Sequence, residues 1–107
     1  MKNDMNKMTI KEVIHETAKD FYKAGVMDEQ TMRKFDALCL PPVKEYTPKQ
    51  IQNLRKKNKA SQAVFATYLN TTTSTVQKWE QGQKRPSRIA LKLLNLVDRH
   101  SLALLAV

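Results

Sequence analysis

The sequence predicts an all-α protein of 107 residues. It contains only two glycines and four prolines, and it shows little of the alternation that half-buried strands require. Good helix formers dominate, and a Ser, Thr or Asp repeatedly stands just before apolar residues at helical spacing. A chain of this length can bury one compact core, or one small domain with an extra segment.

The first helix is predicted to begin at Thr9, because Thr9 and the glutamate three residues later have the spacing of a capping box. Gly25 is well placed to end this helix. A second helix is predicted from Asp28 to about Leu38, with Met32 and Phe35 on its apolar side. The first helix carries an apolar stripe formed by Ile10, Val13, Ile14, Ala18 and Phe21.

A boundary near residue 46 follows from two independent observations. Pro41 and Pro42 offer no N–H and stop the second helix. Residues 1–46 hold eight basic and eight acidic side chains, whereas residues 47–107 hold eleven basic and two acidic ones. We therefore predict a helical segment over residues 1–40, a linker over 41–46 and a basic domain over 47–107.

Four more helices are predicted in the basic domain. Thr47 begins a second capping box with Pro48 at the first helical position, and Ser61, Thr72 and Ser87 cap helices at about 62–69, 73–81 and 88–100. The last helix has an apolar arc wider than one core needs, which predicts a second face for a partner subunit. The arc consists of Ile89, Ala90, Leu91, Leu93, Leu94, Leu96 and Val97.

The net charge and composition of the chain restrict the kinds of partner and the compartment that we expect. The whole net charge of +9 lies in the C-terminal part, so a polyanion is a natural ligand and its binding should weaken with salt. No apolar run approaches the ~18 residues of a membrane span, and no secretory signal is evident. Because Cys39 is the single cysteine, we expect no internal disulfide and a reducing cytoplasm.

Residues 61–86 predict two short helices joined by a tight turn. Ala66 is small enough for the helices to cross closely, and Asn70 tolerates the positive φ that the turn needs. Thr71 stands where an apolar residue is more usual. The shared core of the two helices is predicted to contain Phe65, Leu69, Val76 and Trp79. Such a pair can present its second helix to the major groove of DNA.

Residues 62–81 resemble the helix-turn-helix of the Xre/Cro family of phage-type repressors, and Trp79-Glu80-Gln81-Gly82 followed by Arg85-Pro86 resembles that family's usual ending. The resemblance extends over about 47–99 and implies a lambda-repressor-like helical bundle. It places base contacts on Thr73, Ser74, Gln77 and Lys78. The alternative is that the first residues of this helix only cap and start it.

The same resemblance implies contacts with the DNA backbone and one structural ion pair. Gln62 and Thr72 resemble positions that hold the phosphates. Lys84 and Arg85 need only charge and reach to contact phosphates as well. Arg55 and Glu80 are expected to pair and to join the first helix of the domain to the end of the recognition helix.

The segment order resembles HigA-type antitoxins of bacterial toxin–antitoxin pairs, in which an extra segment binds a RelE-fold, mRNA-cleaving toxin. The resemblance implies a basic RelE/HigB-like toxin, double-stranded operator DNA and a homodimer as partners. Toxin contact is then expected from Ile10, Val13, Ile14, Glu16, Asp20, Phe21 and Phe35. The acidic side of the first helix, Glu12, Glu16 and Asp20, could equally be a solvated face balanced by Lys19 and Lys23.

The alternatives to an antitoxin are a stand-alone regulator and an enzyme. A stand-alone Xre-family regulator would use its N-terminal helices to sense a ligand or as structure, and the absence of a toxin-like gene neighbour would favour it. An enzyme is not expected, because His15, Cys39 and His100 are isolated and no phosphate loop or catalytic triad is present. No metal or cofactor is expected, and one cysteine excludes the antitoxin form with a four-cysteine zinc site.

Overall fold

The computed structural model describes residues 8–107, and these residues form six α-helices and one 3-10 turn without any strand. The predicted all-α fold is confirmed over this range. The helices are α1 (Ile10–Lys23), α2 (Glu29–Leu38), α3 (Pro48–Lys57), α4 (Gln62–Tyr68), α5 (Thr73–Glu80) and α6 (Arg88–Arg99), followed by a C-terminal 3-10 turn (Leu102–Leu105).

The chain divides into two compact units, one ending at Pro42 and the other running from Val43 to Val107. The first unit contains α1 and α2, which we call the N-terminal hairpin. Thr9 caps α1 through the predicted capping box, Asp28 caps α2, and Gly25 adopts a φ of 81° between them. Ala18 and Met32 are the buried apolar residues of the hairpin, so its core is very small.

A polar clasp also joins the two helices of the N-terminal hairpin. The imidazole Nε2 of His15 lies 2.7 Å from Oδ1 of Asp36, and Arg33 donates to the other oxygen of the same carboxylate at 2.9 Å. The hydrogen bond from His15 and then that from Arg33 hold the pKa of Asp36 below its usual range. This clasp adds a directional link where the apolar core is small.

The second unit, the C-terminal bundle, has a continuous apolar core. Each helix of the bundle contributes to it, because each has an apolar stripe at helical spacing. The largest fully buried side chains are Phe65, Ile51, Leu94, Val76 and Val97. The 3-10 turn closes one end of this core: Leu102 is buried, and its N–H donates to Oδ1 of Asn58 at 2.9 Å.

The segment before α3 is fixed to α6 by two side chains. Oδ1 of Asn95 accepts from the backbone N–H of Lys44, and Nδ2 of Asn95 donates to the carbonyl of Lys44, both at 2.9 Å. The hydroxyl of Tyr46 donates to Asp98 at 2.8 Å. Lys44 and Tyr46 of the predicted linker are therefore held against the C-terminal bundle.

Candidate nucleic-acid interface

A tight turn sets the angle between α4 and α5. Asn70 adopts a φ of 56°, as the sequence predicts, and the N–H of Thr71 donates to the carbonyl of Ala66 at 2.9 Å. Ala66 is buried, so the helices approach closely at that point. Phe65, Leu69, Val76 and Trp79 are buried as well, and they fix the position of α5 against the rest of the C-terminal bundle.

The outward face of α5 carries the polar side chains predicted to contact bases. Ser74, Gln77 and Lys78 are exposed, whereas Thr73 is half-buried. Spacing of three and four residues places the three exposed side chains along one side of the helix. Hydroxyl, amide and ammonium groups are all able to bond to base edges in the major groove.

Thr72, which is predicted to contact a phosphate, also caps α5. Its hydroxyl oxygen accepts from the backbone N–H of Thr75 at 3.1 Å and lies 2.8 Å from the hydroxyl of Thr75. These bonds cap α5 and satisfy one of its free N–H groups. A hydroxyl has one donor and two acceptor positions, so Thr72 can donate to a phosphate when the hydroxyl of Thr75 is the donor in the contact between the two.

Arg55, Gln62 and Glu80 form a buried polar network at the far end of α5. Nε and Nη2 of Arg55 donate to the two carboxylate oxygens of Glu80 at 2.7 and 2.9 Å, and Nη1 donates to the carbonyl of Ala60 at 3.1 Å. Nε2 of Gln62 donates to Oε1 of Glu80 at 3.2 Å. The side chain of Glu80 is 4% exposed and that of Arg55 is 12% exposed.

The network keeps Glu80 ionised. Burial alone would raise the pKa of Glu80, but the hydrogen bonds from Arg55 and Gln62 outweigh burial and hold that pKa below its usual range. The hydrogen bond to Glu80 also raises the pKa of Arg55. The contact between Gln62 and Glu80 was not anticipated from sequence. It gives Gln62, predicted to contact phosphate, a structural role in orienting the recognition helix.

Lys84 and Arg85 lie in the loop after α5, and both are exposed. The loop is tied to α5 by backbone bonds, since the N–H groups of Gln83 and Lys84 both donate to the carbonyl of Lys78 at 2.9 and 3.3 Å. Gly82 makes this turn possible with a φ of 76°. The two cations are thus held close to the end of the recognition helix.

Lys56 is a further cation at this surface that the sequence analysis did not single out. It is exposed, and its charge is close enough to contribute to lowering the pKa of Glu80, after burial, Arg55 and Gln62. In sequence it stands within the polar run that ends α3, which reads as an ordinary solvated helix end. One indication of this position was present in the sequence, because Lys56 directly follows Arg55, the residue predicted to pair with Glu80.

The residues predicted to bind a toxin lie on the N-terminal hairpin, and most are exposed. Ile10 is 79% exposed and Phe21 51%, which is unusual for large apolar side chains. Glu16 pairs with Lys19 at 3.3 Å, and Phe35 is half-buried. The exposed members of the set are Ile10, Val13, Ile14, Glu16, Asp20 and Phe21.

The isolated histidine and cysteine side chains of the hairpin have ordinary structural partners. His15 bonds to Asp36, and Sγ of Cys39 lies 3.3 Å from the carbonyl of Lys11. Between residues 8 and 107 no group of three His, Cys, Asp or Glu side chains could hold a metal ion. No helix in that range is long and apolar enough to cross a membrane.

Comparison with known proteins identifies the family to which this domain belongs. The helix-turn-helix family profile matches residues 51–97. Residues 51–97 therefore form a helix-turn-helix domain of this family. The chain is also similar to Antitoxin HigA-2 of Vibrio cholerae serotype O1 (strain ATCC 39315 / El Tor Inaba N16961), with 41% identity over 54 residues.

The similarity to the Vibrio antitoxin extends over part of each chain. The aligned segment covers 50% of this chain and 52% of the Vibrio antitoxin, so the chain spans about half the length of that relative. The resemblance to HigA-type antitoxins and to the Xre/Cro helix-turn-helix that the sequence predicts is confirmed. The individual contact residues remain predictions.

Proposed function

We propose that this protein is an antitoxin that also represses transcription. Through the N-terminal hairpin it binds and neutralises a basic RelE-fold, mRNA-cleaving toxin. As a dimer it binds double-stranded operator DNA through α5 and represses its own operon. The observation that carries the proposal is an exposed apolar stripe on a hairpin in a chain that also has a helix-turn-helix domain at residues 51–97.

The DNA-binding part is supported by the chemistry of the bundle surface. Ser74, Gln77 and Lys78 present groups that can bond to base edges, and Lys84 and Arg85 supply charge beside them. Residues 47–107 contain eleven basic and two acidic side chains. One of the two acidic side chains, Glu80, is buried in an ion pair with Arg55. The surface left for DNA is therefore strongly cationic.

The toxin-binding part is supported by the division of α1 into three faces. One face packs on α2 through Ala18 and His15. The next is an exposed apolar stripe in which Ile10, Val13 and Phe21 recur at helical spacing. The third carries Glu12, Glu16 and Asp20, all exposed. An apolar stripe beside an acidic one suits a groove in a basic protein.

The exposed stripe is also costly to leave uncovered. When large apolar side chains are exposed together on one face of a small unit, that face usually marks an interaction site. Burying a Leu-sized or Phe-sized side chain contributes roughly 1.5–3 kcal/mol. Burial of this stripe by a partner would therefore stabilise the complex. For this reason we assign protein binding to the hairpin and DNA binding to the C-terminal bundle.

Co-expression with a small basic RelE-like reading frame from the neighbouring genes tests the toxin-binding part. The double variant Val13→Asp, Phe21→Asp should lose the toxin in co-purification and should fail to stop its mRNA cleavage. Val26→Asp is the matched control, because Val26 is 73% exposed on the same hairpin but outside the stripe of α1. Equal loss by the control would refute the assignment of the stripe.

The stand-alone regulator remains the alternative, and the same experiment separates it. If no toxin-like neighbour exists and no basic protein co-purifies with the full chain, toxin neutralisation is wrong. DNA binding by the C-terminal bundle is measured independently, by selecting duplexes from a random pool and measuring their affinity. Failure of selection to enrich any sequence would contradict the repressor assignment.

A further inference from the structure

The C-terminal bundle contains a cavity of about 450 Å³ between the start of α3 and the loop that follows α5. Tyr46 and Thr47 line it from the segment that enters α3, and Gly82 lines it from the loop after α5. Leu91 lines it from α6. Cavities of this size are typical of sites for small organic molecules. We call it the α3–loop cavity.

Much of the wall of the α3–loop cavity is apolar. Ile51 and Trp79 line it, and both are buried members of the core of the C-terminal bundle. Pro48, Pro86 and Leu91 extend the apolar lining. A ligand with a hydrocarbon body therefore transfers apolar surface out of water when it enters, which favours binding.

Trp79 also brings an unused hydrogen-bond donor to the cavity that it lines. Its indole Nε1 is buried, and no acceptor for it is found among residues 8–107. An indole N–H can only donate, and buried donors in folded proteins nearly always have a partner. Trp79 lines both the α3–loop cavity and a neighbouring groove bordered by Ile89 and Leu93. A ligand that places an oxygen beside this N–H supplies an acceptor for it.

The charged side chains at the α3–loop cavity favour an anion of low charge. Lys84 and Arg85 line the cavity and are exposed, and Glu45 is the one acidic side chain among its described lining residues. Two cations and one carboxylate leave a single net positive charge, which matches a monoanion. A doubly charged phosphate monoester would be repelled more strongly by Glu45. A carboxylate has two oxygens, so one can accept from Trp79 while the other accepts from a cation.

We propose that the α3–loop cavity binds a small monocarboxylic acid with an apolar body, and that the bound acid releases the protein from DNA. Lys84 and Arg85 link the two events, because the proposed function also assigns them to DNA phosphates. A cation that is paired with the acid contributes less to phosphate binding, so the acid lowers the affinity for DNA. Release from DNA rests on the proposed repressor function, whereas binding of the acid does not.

Nuclear magnetic resonance of the full-length, ¹⁵N-labelled chain tests acid binding without DNA. Trp79 is the single tryptophan, so its indole N–H gives one signal that needs no further assignment. The probe is isocaproate, and its matched controls are isocaproamide, which has no charge, and acetate, which has no apolar body. The indole signal should shift to higher frequency and saturate with isocaproate, at a concentration at least about tenfold lower than with either control.

Charge variants test where the carboxylate binds. Lys84→Ala, Arg85→Ala should weaken isocaproate binding about tenfold, whereas Glu45→Gln removes the opposing carboxylate and should tighten binding about threefold. Lys49→Ala, Lys57→Ala is the matched control, because it removes the same charge from α3 at residues that do not line the cavity. This control should leave the binding of isocaproate unchanged. Well-dispersed spectra of every variant show that the substitutions do not unfold the chain.

Several outcomes of the titrations would overturn the acid site. The first is an indole signal that does not move, or that moves equally with isocaproate and isocaproamide. An equal response to inorganic phosphate would overturn the class of ligand. Equal weakening by Lys49→Ala, Lys57→Ala would contradict the roles of Lys84 and Arg85. Weakening by Ile89→Ser would place the acid in the neighbouring groove instead, because Ile89 lines only that groove.

Release from DNA is measured separately, with a duplex obtained by selection. Isocaproate at saturation should lower the affinity for this duplex about tenfold, and acetate at the same concentration should not. An unchanged affinity overturns release. If selection enriches no duplex, the repressor function is wrong, but the indole titration still decides whether the acid binds, because it contains no DNA.

Discussion

Arg55 and Glu80 form a two-point ion pair that joins α3 to the end of the recognition helix, with N–O distances of 2.7 and 2.9 Å. The pair is mostly withdrawn from water, and Gln62 and the carbonyl of Ala60 occupy further hydrogen-bonding positions around it. The two partners are 25 residues apart in sequence. The orientation of α5 therefore depends on a contact that no local sequence pattern can supply.

Removing one member of this pair should destabilise the protein strongly. Glu80→Ala leaves the guanidinium of Arg55 poorly solvated and unpaired, and breaking a buried pair in this way costs about 3–5 kcal/mol, well above the ~1 kcal/mol ceiling of an exposed pair. Urea unfolding of the two single variants and of the Arg55→Ala, Glu80→Ala double variant measures this. The double variant should cost less than the sum of the singles. A neutral Glu80→Ala would contradict the structural role.

The same pair predicts a loss of stability in acid. Glu80 has a folded-state pKa below its ordinary value near 4.5, so the unfolded chain takes up a proton more readily. The stabilisation is complete above the unfolded pKa and is lost as pH falls through the folded pKa. The difference in melting temperature between wild type and Glu80→Gln should shrink from pH 7 to pH 2. A constant difference would show that ionisation of Glu80 does not contribute.

Sequence preference should depend on the outward face of α5. The double variant Ser74→Ala, Gln77→Ala removes two exposed polar groups without disturbing the core, because neither side chain is buried. Losing base contacts typically costs about 1–3 kcal/mol at each affected base pair. Competition between selected and random duplexes measures the preference, with Thr67→Ala on the exposed side of α4 as control. Retained preference in the double variant would place recognition elsewhere.

Lys84 and Arg85 should affect affinity without affecting preference. Their exposed charges next to α5 suit phosphates, which carry no base information. The variant Lys84→Ala, Arg85→Ala should weaken binding to all duplexes, and the slope of log K against log salt should fall in magnitude by about 2. Lys49→Ala, Lys57→Ala removes the same charge from α3 as a comparison. An unchanged slope would show that the loop does not contact DNA.

Local signals made most of the fold predictable. Each predicted cap is in place at Thr9, Thr47, Ser61, Thr72 and Ser87, and Asn70 has the positive φ that the turn requires. Lys59, with a φ of 55°, was not anticipated, because lysine carries no preference for that conformation.

Apart from the pair of Arg55 and Glu80, which the family resemblance implied, the long-range polar contacts could not be predicted from the sequence. Gln62 bonds to Glu80 across 18 residues, and Asn95 bonds to Lys44 across 51. Amide side chains pair with many donors and acceptors, so spacing alone does not select one. For the same reason the prolines and the charge break predict a linker over residues 41–46, but they do not predict the attachment of Lys44 and Tyr46 to α6.

That attachment leads to a prediction about truncation. A chain beginning at Val43 keeps Lys44 and Tyr46, so it should fold and bind DNA like the full-length protein. A chain beginning at Thr47 leaves the amide of Asn95, which is 5% exposed, without two of its partners. A buried polar group that loses its partners costs about 1–3 kcal/mol. Thermal unfolding should therefore separate the two truncations, although they differ by only four residues.

Asn95→Ala in the full-length chain should reproduce much of the loss, whereas Tyr46→Phe, which removes only the bond to Asp98, should have a smaller effect. Equal stability of the two truncations would mean that residues 43–46 do act as a free linker.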